Sequence, residues 1–127
     1  MFLELENLAG GTVVINTSHF LRARDSYGWN EPPSATVLQL LSEKLFCRND
    51  LADVARMLSR LIPVAELHLP INAAVWLSVD KVTTVREASF GVHHPLARAV
   101  VAMGNIDQQV RETVEEARRV LSWARMS

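Results

Sequence analysis

One cysteine, Cys47, stands in a chain of 127 residues, which excludes an internal disulfide and any multi-cysteine metal site. No apolar run approaches the roughly 18–20 residues that a membrane-spanning helix requires. The start, MFLELENLAGG, carries two glutamates and no basic stretch, so a secretory signal is not expected there. Neither sign of charge is in excess. The 13 basic and 14 acidic side chains leave a formal net charge of −1, which argues against a protein whose main task is to neutralise nucleic-acid phosphates. A local basic strip stays open. There is no Gly-x-Ser-x-Gly elbow and no Walker or Rossmann glycine pattern. What is present is a globular balance, 49% apolar and 21% charged, expected of a soluble, cytoplasmic protein of one ordinary domain or two very small ones.

The chain resembles itself. Offset by 62 residues up to Asp25 and by 63 from Ser26 onward, it pairs Glu4 with Glu66, Leu5 with Leu67, Val13 with Val75, Arg24 with Arg86, and Val37 with Val100. Arg48/Arg111, Arg56/Arg119, Leu58/Leu121 and Ser59/Ser122 continue the series. Ser-aromatic-Gly-x-x-x-Pro occurs at Ser26–Pro32 and again at Ser89–Pro95. The pairs stay in order with a single one-residue insertion near Ala88, as a duplicated unit would leave them.

Each copy helps to read the other. Phe2–Asn7 alternates apolar and acidic residues and reads as a half-buried strand. Ala9-Gly10-Gly11 is turn chemistry. Thr12–Asn16 is β-branched and apolar on both faces, which predicts a strand covered from both sides. Thr17-Ser18-His19 makes a corner, Phe20–Ser26 resumes as a strand, and Tyr27–Ser34 (YGWNEPPS) is a proline-bearing loop. Ala35–Leu41 is an apolar strand, and Leu45–Arg48 a short one after a tight turn. Leu51, Val54, Ala55, Leu58 and Leu61 then follow helical spacing, with Asp50 as N-cap and Pro63 as the stop. In the second copy Thr113 and Glu116 form a capping box ahead of Val114, Ala117, Leu121 and Ala124.

The fold class expected is therefore α+β. Two tandem repeats, 1–62 and 63–127, each comprise an antiparallel sheet of four or five strands followed by one α-helix. A unit of about 60 residues is marginal alone. Its helix covers one sheet face, so the sister unit is expected to cover the other, in a pseudo-twofold arrangement packed as one domain.

The first unit resembles the FlbD/SwrD family of small flagellar-associated proteins. The likeness lies in FLEL, the turn Gly10-Gly11, VVIN ending at Asn16, Phe20 after the corner, and CRNDLADVARML. The second unit carries VWLS for VVIN, Asn72-Ala73 for the glycine pair, and VRETVEEARRVL. The resemblance implies the architecture and a non-enzymatic role, with a link to motility. The doubling and the long proline-bearing loops depart from the family's single short unit.

Chemistry has few candidates. His93 and His94 are adjacent ahead of Pro95, but neighbours on an extended chain point apart, and no third ligand accompanies them. His19 and His68 stand alone. Cys47 has the parity of a core residue, and Glu115 and Glu116 suit a helix N-terminus. No catalytic residue, metal or cofactor is expected. The partner-binding candidates are Arg24 and Arg86, recurring on strands, and the loop residues Tyr27, Trp29, Phe90, His93 and His94. For the arginines the plain alternative is a solvated face paired with Asp25 and Glu87; for the loop aromatics it is an anchor under their own loop.

The function these features favour is a small non-enzymatic interaction or assembly protein acting on a protein partner, with homo-oligomerisation open. Tandem four-strand-plus-helix repeats also resemble the Whirly and PUR architecture, which gives single-stranded nucleic-acid binding as the alternative, disfavoured by the net charge. A ligand-binding or enzymatic cleft between the repeats is the second alternative.

Overall fold

In a computed structural model, which describes residues 1–27 and 30–126, the period-2 segments fold as strands and the period-3.6 segments as helices. In chain order these are β1 (Phe2–Glu6), β2 (Thr12–Asn16), a 3-10 turn (Thr17–His19), β3 (Phe20–Asp25), β4 (Thr36–Leu40), β5 (Lys44–Cys47) and α1 (Leu51–Ser59). After Pro63 come β6 (Val64–His68), β7 (Ala74–Ser78), a 3-10 turn (Val79–Lys81), β8 (Val82–Glu87), β9 (Ala99–Met103), β10 (Ile106–Val110) and α2 (Val114–Met126). The molecule is α+β, with three antiparallel sheets among the described residues.

The sheets do not divide at Pro63, contrary to the expectation of one four- or five-stranded sheet per unit. The largest runs β5-β4-β3-β7-β6, while β1-β2 and β10-β9-β8 stand apart. β3 and β7 join the two parts of the chain, with Arg22 opposite Leu77, Ala23 opposite Trp76 and Arg24 opposite Val75. The physical reason lies in β3 itself. Two core clusters form: Phe20 and Ala23 belong to one, with Leu3, Leu5, Leu38, Val54 and Leu58, while Leu21 belongs to the other, with Leu67, Val75, Leu77, Val101 and Ala117. Phe20 and Ala23 thus need cover from one cluster and Leu21 from the other, which a strand at the centre of the sheet receives from both parts of the chain.

Local devices recur along the chain. Asn7 N–H donates to Gly11 O at 2.8 Å, and Leu69 N–H to Ala73 O at 2.8 Å. Thr17 N–H reaches Met1 O at 2.9 Å, and Val79 N–H reaches Pro63 O at 3.1 Å. Arg48 N–H to Glu6 O and Arg111 N–H to His68 O, both 2.8 Å, tie the first strand of each series to the end of the fifth. A register shift falls between Phe20 and Arg22 in β3 and between Val82 and Thr84 in β8. Gly10 turns at φ +93° and Asn72 at φ +70°, a left-handed geometry that asparagine tolerates.

Asp50 takes the N-cap position of α1 as expected, with Val54 N–H donating to its carbonyl at 2.9 Å, but its side chain makes no cap hydrogen bond, whereas Thr113 and Glu116 cap α2 reciprocally at 2.9 and 3.1 Å. One expectation about the elements fails. β2 is not covered on both faces: Ile15 is buried, but Val14 is 56% exposed. A pseudo-twofold pairing would set β2 beside β8, and among the described residues neither strand pairs with the other.

Candidate functional site

The strand parity that buries Ala23 sends Arg22 and Arg24 to the opposite face of β3. Arg24 does not meet the Asp25 carboxylate; it donates to the Asp25 carbonyl at 3.1 Å and forms a two-pronged pair with Glu31, both bonds 2.8 Å. Tyr27 N–H adds a bond to Glu31 at 2.9 Å, and Lys44 lies at 3.6 Å. The Arg24 hydrogen bonds first, then the Tyr27 amide and the Arg24 and Lys44 charges, hold the Glu31 carboxyl down at about 2. Arg24 also lies 4.0 Å from the Tyr27 ring centroid. Arg24, Tyr27 and Glu31 together clamp the proline loop to the sheet. Trp29, expected in the same surface, lies outside the described residues.

Arg22 donates to Gln108 of β10, a bond from the large sheet to the small one. Burial, with Arg24 beside it, pushes this guanidinium down from its ordinary range. Arg86 pairs with Asp107 at 2.9 Å rather than with Glu87, on an exposed surface.

The loop between β8 and β9 is built differently. Val92 and His93 N–H donate to Ser89 O at 3.1 and 3.0 Å. His93 Nδ1 accepts from Ser89 N–H at 2.7 Å, and His94 Nδ1 accepts from Leu96 N–H at 3.0 Å. His94 N–H in turn donates to Gln109 Oε1 at 2.7 Å. Each neutral ring then carries its proton on Nε2. The two imidazoles therefore serve separate backbone amides and do not converge. Phe90 is fully exposed, with Val92 and Leu96 also exposed, around a cavity of about 380 Å³ that Phe90, His93, His94 and Pro95 line.

A polar corner escaped the sequence reading. His68 Nδ1 lies 2.6 Å from Glu112 Oε2, and His68 N–H donates to Glu112 Oε1 at 2.9 Å. His68, Asn72, Arg98, Arg111, Glu112 and Glu116 line a cavity of about 280 Å³ there. Its counterpart is plainer: Glu6 N–H donates to Asn49 Oδ1 at 2.8 Å. The offset that aligns the chain with itself pairs Glu6 with His68 and Asn49 with Glu112, which was the available signal.

The structure thus gathers the expected residues into separate groups, Arg24 with Tyr27, Phe90 with His93 and His94, and Arg86 with Asp107. Cys47 is buried, and that burial pushes its thiol up. Among the described residues, no group of three histidine, cysteine or acidic side chains is placed to hold a metal ion, and no helix is long and apolar enough to cross a membrane. The largest cavity described, about 540 Å³, lies between the end of α1, the start of β6 and α2, with Arg60 and Glu66 its charged lining residues. No protein-family model, curated protein or solved structure matches the chain.

Proposed function

We propose that the chain is a non-enzymatic interaction protein that presents the loop between β8 and β9 to an apolar hollow on a protein partner. The observation that carries this reading is Phe90, fully exposed beside Val92 and Leu96 on a loop that two imidazole caps hold in shape. Exposed apolar groups gain free energy when a partner removes them from water, and a pre-shaped loop loses little entropy on docking. We also infer descent from a duplicated unit spanning 1–62 and 63–127; the backbone hydrogen bonds recurring at the 62-residue offset support it. The likeness to the FlbD/SwrD family agrees with a role without catalysis.

The single-stranded nucleic-acid reading has less support, because Glu31 engages Arg24, Arg24 covers the Tyr27 ring and Asp107 pairs Arg86. The test is quantitative capture with wild-type protein and a Phe90→Ser, Leu96→Ser variant, followed by titration of each purified interactor. The variant is expected to bind at least about tenfold more weakly while unfolding at the same urea concentration. Equal affinity of wild type and variant for every interactor would sink the proposal.

A further inference from the structure

β2 and β8 each leave one edge without a strand partner among the described residues. The closing bonds of the first hairpin, Asn7 N–H to Gly11 O and Thr17 N–H to Met1 O, fix which residues of β2 bond to β1. Alternation then turns the main-chain N–H and C=O of Val14 outward. The bond from Ala88 N–H to Arg98 O does the same for β8 and turns those of Val85 outward. β2, with sequence TVVIN, has no charge and no proline to block an added strand.

The molecule already contains the junction these edges would make. Shifted by 62 residues, β2 becomes β7 and β8 becomes β3, and β7 and β3 pair antiparallel with Ala23 opposite Trp76. The register shift in β8 is no obstacle, since β3 has the equivalent shift and pairs with β7 regardless. Side chains tell the same story. Val64 is 8% exposed and Trp76 half-buried against the cluster containing α1, whereas their counterparts Phe2 and Val14 are 70% and 56% exposed.

We propose that copies of this chain join through β8 of one and β2 of the next, with Val85 opposite Val14, Thr84 opposite Ile15 and Arg86 opposite Val13. Each junction completes a second five-stranded sheet, β10-β9-β8 extended by the next copy's β2-β1, matching the order of the sheet within the chain. The joined edges differ, so the contact is heterologous. It covers Phe2 and Val14 and does not use Phe90.

Light scattering after size exclusion, on the full chain at up to about 100 µM, reads the outcome directly. The wild type is expected to weigh two or more chains. Val14→Pro removes the outward amide of β2 and Val85→Pro that of β8, and each alone is expected to weigh one chain. Mixed, they are expected to form a one-to-one pair, because each variant retains the edge the other lacks. Val14→Lys, which keeps the backbone and charges the edge, gives the same readout if proline unfolds the strand. A monomeric wild type, an unchanged mass for Val14→Lys, or a folded mixture that stays monomeric overturns the proposal. Phe90→Ser is expected to keep the wild-type mass, so failure of the loop reading leaves this result intact.

Discussion

The hairpins β1–β2 and β6–β7 have equal strand lengths, the same pair of backbone bonds and corresponding left-handed turn residues, yet their outward faces differ. Trp76 lies against a core and beside β3; Val14, at the corresponding place, faces water. Strand formation in both follows from β-branched sequence and a turn. Coverage follows from the neighbour that arrives, which the strand does not encode.

The largest effect that sharpens this comparison is expected at those two positions. Trp76→Ala should cost about 2–4 kcal/mol, and Val14→Ala less than about 0.5 kcal/mol in dilute solution, both read by urea unfolding. Equal costs would break the contrast.

A smaller effect separates the two arginine pairs. Glu31→Gln is expected to cost on the order of 1–2 kcal/mol, because it dismantles a sheltered two-pronged bond, whereas the exposed partner change Asp107→Asn should cost under about 0.5 kcal/mol. The Glu31 carboxyl sits at about 2 in the folded chain against an ordinary 4.5. Its contribution is therefore complete above the ordinary value and lost as pH falls through about 2. Acid unfolding curves of wild type and Glu31→Gln should converge in that window.

The smallest effect tests the polar corners. Glu112→Gln keeps an oxygen for the His68 amide, as Asn49 does for Glu6, and should shift stability by less than about 0.5 kcal/mol. Glu112→Ala removes that acceptor and should cost about 1 kcal/mol in thermal melts.

The strands and helices were legible because their signals are local: alternation in Phe2–Glu6, heptad-like spacing from Leu51, the Thr113–Glu116 box. Cys47 in the core and Ala23 opposite Arg24 followed from parity alone. The sheet order was not legible, since the edge of β3 accepts any strand of suitable face, and the apolar pattern of Thr12–Asn16 reads the same whether covered or bare. Glu31 was passed over because its partner Arg24 lies across the Tyr27–Ser34 loop, and the residue at the 63-residue offset is His94, so the internal alignment pointed to no matching carboxylate.

The pairing of Arg24 with Val75 has a consequence for biosynthesis. A ribosome finishes β3 long before β7 emerges, so the nascent chain holds β3 with one edge unpaired while α1 is being made. Such distant pairing is slow to form and invites premature association. Release of the second hairpin is thus the event that seals the first part of the chain.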